Sequence, residues 1–234
     1  KICKKNKIKI IEDGCHSFGS FKKLSNKKII VGSCQFSKMT TFSFHAVKNI
    51  TTIEGGAITT NNKKIYEKLL LLRSHSLKIT AINDPYKMMF PTLNFRMPEI
   101  CALIGLEQLK QMKKFKIHRN KLNKFYLNKL EKLKKYLKPL NYIDNNIFWH
   151  LFVIKIQKYN KKRKLISFLK NNKIGSQIHY KPIHKHLALK KYISINKSQN
   201  SDFFYRRQLT LPLHTLMNKK NINFIVKKLK FFFK

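Results

Sequence analysis

Thr41–Asn62 reads TFSFHAVKNITTIEGGAITTNN. It sets one lysine, Lys48, in a loop between two strand-like runs, Met39–Phe44 and Ala57–Thr60, with Glu54-Gly55-Gly56 closing the loop. Ser43 stands five residues before the lysine. Upstream, Lys9-Ile10-Ile11-Glu12-Asp13 is a strand-like run ending in acid, and Asp13 lies 35 residues ahead of Lys48. A strand-end acid and a loop lysine are the pair an enzyme needs to hold pyridoxal phosphate. The lysine amine binds the aldehyde, the carboxylate pairs with the protonated pyridine nitrogen, and the serine hydroxyl binds phosphate.

Five blocks along the chain carry a family resemblance: IEDGCHSFGS, FSFHAVKNITTIEGGAITT, LNFRMPEICALIGLEQL, IHYKPIHKH and FYRRQLTLPLHTLM. In this order they resemble the sugar aminotransferases of the DegT/DnrJ/StrS group. The HYKPIH block and its spacing to LTLPLH are most similar to the branch that works in pseudaminic acid biosynthesis. The resemblance implies an α/β fold of fold-type I, aspartate aminotransferase-like, with a partial large domain and a C-terminal α+β small domain. It also implies pyridoxal 5'-phosphate as cofactor and a cytoplasmic homodimer with shared active sites. The reaction would move an amino group, from glutamate, onto a 4-keto-6-deoxy nucleotide sugar.

The chain has 234 residues, with 51 Lys+Arg against 10 Asp+Glu and a net charge of +41. That excess points first to nucleic acid or an acidic membrane. Only six of the basic residues are arginine, the side chain suited to planar phosphate and base recognition, and the lysines are spread rather than gathered in one arm. A drift toward A+T-rich codons accounts for the abundance of Lys, Asn and Ile, so neither nucleic acid nor a membrane is expected as a partner. Cys3, Cys15, Cys34 and Cys101 form no CxxC pair, which reads as a reduced, cytosolic chain. No apolar run approaches the ~20 residues that span a bilayer, and no signal peptide is read.

Along the chain, Lys7–Ile10 alternates as a half-buried strand with Glu12 and Asp13 at its end, and Lys28–Val31 is another short strand. Asn61-Asn62 opens a helix with Ile65, Leu69, Leu70 and Leu72 on its apolar stripe. Asn83–Asn94 reads as loop. A long helical stretch starts at Met97-Pro98-Glu99, carries Ile100, Ile104, Leu106, Leu109 and Met112 on its apolar side, and continues with breaks to about Tyr136. Phe148–Ile156 and Ile174–Ile178 read as strands, Lys164–Leu169 as helix, Leu209–Leu213 as an extended run and Asn218–Phe233 as a closing amphipathic helix. A domain change is placed near residue 115, giving 1–115 as the C-terminal part of the cofactor-binding large domain and 116–234 as the small domain. Set against the family, the front half of the large domain is absent. The chain then reads as a fragment, a split-gene product or a decayed gene. Alone it is expected to bind cofactor weakly, turn over little and aggregate, since several donors normally hold a phosphate at once.

Lys48 is the expected catalytic residue. Taken alone, Asp13 would be a strand-end turn residue, Ser43 a strand-end serine, His16 a buried neighbour and Asn94 a loop asparagine with local turn bonds. The resemblance gives Asp13 to the pyridine nitrogen, His16 to the ring oxygen, Ser43 to the phosphate, and Asn94 to the phosphate of the neighbouring subunit's cofactor, with Arg96 ordering that loop. His179-Tyr180-Lys181-Pro182 is the substrate-loop candidate, apt for a diphosphate beside a base. His179, His184 and His186 lie close in sequence but lack zinc-ligand spacing, so no metal is expected. The sequence departs from the family pattern at Lys38, Ala46 and Ile53. The last stands where glycine is common, and a β-branched residue at positive φ is unfavourable. Two rival readings remain, a non-catalytic remnant of such an enzyme and a basic binding module.

Overall fold

A computed structural model describes residues 2–78, 87–192 and 198–234, with only the backbone at Lys190. The chain divides into two compact units, Lys1–Lys114 with Asn146–Phe148, and Phe115–Asn145 with Trp149–Lys234.

The first unit is built on a three-stranded sheet. Helix α1 (Ile2–Lys5) precedes β1 (Ile11–Asp13), and β2 (Phe21–Leu24) and β3 (Lys27–Ile30) form an antiparallel hairpin. Next come β4 (Met39–Ser43), β5 (Gly56–Thr59) and α2 (Lys63–Arg73). The sheet order is β1-β4-β5, with β1 parallel to β4 and β5 antiparallel to it. The first strand is shorter and later than the alternation of Lys7–Ile10 predicts. Lys7 takes a φ of 53°, and the Ile8 N–H caps α1 by donating to Cys3 O at 2.8 Å. That N–H is therefore unavailable to a ladder. Strand β3 lies within one residue of the expected Lys28–Val31, while β2 escapes the sequence reading because the turn is Ser25-Asn26, both at positive φ, without the glycine that usually marks such a turn. Asn62 caps α2 by accepting from the Ile65 N–H at 3.0 Å.

Strands β6 (Leu77–Lys78) and β7 (Lys87–Met88) pair antiparallel, so the expected Asn83–Asn94 loop holds a strand. Residues 83–86 of that loop lie outside the described ones. Helix α3 (Glu99–Leu130) runs unbroken for 32 residues instead of with breaks to about Tyr136. Its expected apolar stripe is also wrong in part: Ile100, Leu106 and Leu109 are exposed. The buried line passes through Gly105, where a Cβ would sit 2.8 Å from Thr52 Cγ2. A glycine carries no hydropathy signal, so the close approach is invisible to a count of apolar letters.

The second unit holds β8 (Leu137–Pro139), β9 (Phe152–Ile156), α4 (Lys162–Asn171), α5 (Gln199–Arg207), β10 (Gln208–Leu211) and α6 (Lys219–Phe233). Its antiparallel sheet has the order β10-β9-β8. Two expected strands shrink. The Phe148 N–H donates to Ser20 Oγ and the Phe148 carbonyl accepts from Asn49 Nδ2, so the ladder starts only at Phe152. In Ile174–Ile178, the Ile174 N–H closes α4 on Leu169 O, leaving a single bridge of Gln177 to Thr210. Helix α6 starts in a capping box between Asn218 and Asn221.

The buried apolar cluster lies wholly in this unit, from Leu122, Tyr126 and Leu130 of α3 through β9, β10 and α4 to Ile222, Val226, Leu229 and Phe233 of α6. Within it Arg119 is buried and donates to the carbonyls of Trp149, His150 and Leu213. No carboxylate is among these partners, and burial lowers its guanidinium pKa to about 10. Among the described residues of the first unit, only Cys34, Phe42, Ile50 and Phe148 are buried and apolar.

Candidate active site

The β1–β4 register sets Asp13 opposite Thr41, and the Gly14 N–H donates to Thr41 O at 2.9 Å. Both strands therefore end at the same edge of the sheet, with Asp13 at one tip and Ser43 at the other. Gly14 is required here, because a Cβ would approach Phe42 Cε1 to 2.8 Å. The Cys15 N–H donates to Asp13 Oδ1 at 3.0 Å, and the Cys15 thiol lies 4.0 Å from both Thr41 O and Thr41 Oγ1.

The hydrogen bonds from the Cys15 thiol and N–H, then the charges of His16 and Lys48, hold the Asp13 carboxyl below its ordinary value. Because its folded-state pKa is depressed, Asp13 adds stability above its unfolded pKa and loses it as pH falls through the folded one. Burial, then the Asp13 hydrogen bond, pushes the Cys15 thiol up, so Cys15 stays protonated at neutral pH and remains a donor. Cys15 is the residue that motif reading passes over. Its signal is its place two residues after the acid, where an aspartate accepts its own Asx-turn bond. Replacing Cys15 with alanine is expected to raise the Asp13 pKa while the backbone N–H bond persists. Carboxyl carbon NMR over a pH titration measures this, and an unmoved Asp13 would show that the thiol contributes nothing.

Beyond β4 the chain turns through the lysine loop. The Lys48 N–H donates to His45 O at 2.9 Å and the His45 N–H to Ser43 Oγ at 3.4 Å. Asn49, buried, anchors the loop base to Phe148 O at 2.7 Å. The return limb is tied to Phe44: its N–H donates to Gly55 O, and its carbonyl accepts from the Thr52 N–H and Thr51 Oγ1. His45 Nε2 lies 3.5 Å from Glu54 Oε1 across the loop. Lys48 is thus half-buried on a loop pinned at three points, within electrostatic reach of Asp13.

The tight return leaves Ile53 at a φ of 69° and 53% exposed. A β-branched residue in the left-handed region costs about 1–2 kcal/mol, and glycine's extra chain entropy offsets about half of that. Ile53→Gly is therefore expected to stabilise the first unit by about 0.5–1 kcal/mol. Denaturant unfolding with an unchanged slope checks it, and a loss of stability would mean that Ile53 packs more than its exposure indicates.

The remaining predicted residues fall in two places. Asn94 bridges to Ser74 and its Oδ1 accepts the Arg96 N–H at 3.0 Å, an Asx turn, while Arg96 donates to Ser74 Oγ. His179, Tyr180, Lys181 and Pro182 belong to the second unit. His179 Nδ1 lies 2.8 Å from Thr210 Oγ1, His184 Nε2 lies 3.0 Å from Asp202 Oδ1, and His186 Nε2 lies 3.3 Å from Lys181 O. Each histidine thus has its own partner, and no group of metal-ligating side chains forms among the described residues. The structure brings Asp13, His16 and Lys48 together in the first unit, with Ser43 on the neighbouring strand tip.

The profile of the DegT/DnrJ/EryC1/StrS aminotransferase family matches residues 1–230. The chain belongs to this family. A UDP-4-amino-4,6-dideoxy-N-acetyl-beta-L-altrosamine transaminase of Campylobacter jejuni subsp. jejuni serotype O:23/36 is 35% identical over 226 residues, spanning 96% of this chain and 58% of the relative. The Helicobacter pylori transaminase of the same description is 33% identical over 226 residues, again covering 58% of its length. The structure of Helicobacter pylori PseC, an aminotransferase involved in the biosynthesis of pseudoaminic acid, superposes with a TM-score of 0.87 at 29% identity, over 99% of this chain and 61% of that one. The PLP-form of Spr1654 from Streptococcus pneumoniae gives 0.83 at 25% identity, over 99% and 59%. The chain spans somewhat over half the length of these relatives. Its fold is that of the fold-type-I pyridoxal-phosphate-dependent transferases.

The site chemistry of this family member fits the cofactor. An acid kept ionised by Cys15, His16 and Lys48 is the partner a protonated ring nitrogen needs. A half-buried loop lysine suits an aldehyde, and a strand-tip hydroxyl suits a phosphate oxygen.

Proposed function

We propose that this chain supplies the lysine-bearing part of an aminotransferase that moves an amino group, from glutamate, onto a 4-keto-6-deoxy nucleotide sugar. The observation that carries the reading is the placing of Asp13 at the end of β1 beside β4, with the charges of His16 and Lys48 acting on its carboxylate. Pyridoxal phosphate, when bound, supplies the electron sink for the carbon that loses a proton. Asp13 holds the ring nitrogen's proton, Ser43 donates to phosphate and His16 neighbours the ring oxygen. Lys48 tethers the group, and its Nζ, once released, carries the proton at the substrate carbon. The names of the transaminase relatives and of the PseC structure favour the sugar of the pseudaminic acid route. His179-Tyr180-Lys181-Pro182 is read as the contact for the nucleotide diphosphate.

The test is to join residues 1–234 with the region of the Campylobacter relative that this chain does not span. The assembly is then assayed for glutamate-dependent amination of the keto sugar. A cofactor-loaded assembly that aminates no nucleotide sugar sinks the substrate, and one that binds no cofactor leaves the reading of a non-catalytic remnant.

Asn94 is proposed to reach the phosphate of a partner subunit. Mixing a Lys48→Ala assembly with an Asn94→Ala assembly under subunit exchange should then yield hybrids with one intact site, recovering roughly a quarter of wild-type activity at random 1:1 pairing. Hybrids no more active than either parent would exclude donation across subunits.

A further inference from the structure

We propose that Asp202 is a positioning residue, which clamps His184 and Lys185 from α5 and so fixes the 179–186 segment in the shape that meets an anionic, nucleotide-linked substrate. The inference rests on the reading of His179–Pro182 as the substrate contact.

Acid is scarce in this chain, ten residues against 51 basic ones. Yet one carboxylate takes two basic side chains of the same short segment. Asp202 Oδ1 lies 3.0 Å from His184 Nε2 and 3.2 Å from Lys185 Nζ, and the aspartate and histidine side chains are each only 17% exposed. The other end of the segment is fastened where His179 Nδ1 meets Thr210 Oγ1 of β10 at 2.8 Å. In between, the Lys185 N–H donates to Pro182 O at 2.9 Å, and the His186 N–H to Ile183 O at 3.0 Å. The segment is therefore held at both ends, while Tyr180 and Ile183 between them are 63% and 66% exposed. A fixed frame carrying an exposed aromatic is what stacking on a base requires. Lys181, which takes no part in the clamp, is the cation left for a diphosphate. Fixing the loop beforehand removes an ordering cost from binding. The carboxylate also offsets the positive charge of Lys185 in a +41 chain.

The experiment uses the full chain and its Asp202→Ala, Asp202→Asn and Asp202→Glu variants. Amide hydrogen exchange is followed at Lys185, His186 and Leu189, and UDP is titrated as the probe. Asp202→Ala is expected to speed exchange at these amides about tenfold and to weaken UDP about tenfold, each a loss of about 1.4 kcal/mol. Asp202→Asn should lie between, and Asp202→Glu should restore both. The thermal midpoint should stay within a degree or two, since a merely structural role would move it together with exchange. Equal exchange in wild type and Asp202→Ala overturns the clamp. Faster exchange with unchanged UDP affinity overturns its role in binding. If UDP shifts no signal of 179–182 in the wild-type chain, the substrate-contact reading falls, and the exchange data alone decide the clamp.

Discussion

Lys48→Ala is expected to abolish the borohydride-fixed attachment of pyridoxal phosphate and to leave folding almost unchanged. The chain offers 45 lysines, so the effect is a claim about position. Lys48 combines half-burial on a pinned loop with a charge that acts on the Asp13 carboxyl. The anchors of the loop are the Lys48 backbone N–H, the Asn49 side chain and the Phe44 backbone, none of which is lost when the Lys48 side chain is shortened. Stability should therefore change by no more than about 0.5 kcal/mol. In a completed assembly, reduction followed by peptide mapping should place the pyridoxyl group on Lys48 and nowhere else at stoichiometric yield. A pyridoxyl peptide containing a different lysine would refute the assignment, and so would undiminished labelling of the alanine variant.

The residues that surround Lys48 were readable because they follow local chemistry. Met39–Ser43, Gly56–Thr59 and the Asn62 cap lie where alternation, a glycine turn and a capping side chain put them. The three shortened strands share one cause, a backbone N–H committed to a partner outside the expected ladder. Ile8 caps α1, Phe148 turns to Ser20 and Ile174 closes α4, and each removes residues from an expected strand. The apolar side of α3 was misjudged because its buried line runs through Gly105. For the proposed site, the family resemblance points to Asp13 and Lys48. The bond from Cys15 to Asp13 depends on a turn that folds its N–H back onto the carboxylate, and the ion pairs of Asp202 depend on a helix reaching residues 17 and 18 positions earlier. Spacing alone indicates neither. Ile53 is the converse case. Its departure from glycine marks a left-handed position, and the backbone there does take a φ of 69°.

Phe152→Ala is expected to be the most destabilising of the substitutions considered, lowering the stability of the second unit by about 3–5 kcal/mol. Phe152 is fully buried in β9, at the centre of the cluster that this unit alone contains. Its ring stacks on Tyr126 with centroids 4.3 Å apart, and the Tyr126 hydroxyl donates to Pro212 O at 3.0 Å. Three effects can therefore be separated. Removing the ring loses its transfer energy and leaves a cavity, the largest contribution. Loss of the aromatic pair adds about 0.5–1.5 kcal/mol. Tyr126→Phe keeps the stack and loses only the hydroxyl bond, so it should cost about 1 kcal/mol. Trp149, the only tryptophan, belongs to this unit and meets Tyr142 edge-on at 5.2 Å, so its fluorescence in a denaturant titration follows the right transition. The midpoint should fall strongly for Phe152→Ala at an unchanged slope, and slightly for Tyr126→Phe. The double variant should fall short of the sum of the two, because the residues touch. A loss below about 1 kcal/mol for Phe152→Ala would mean that the unit collapses around the missing ring, and that its stability does not rest on this cluster.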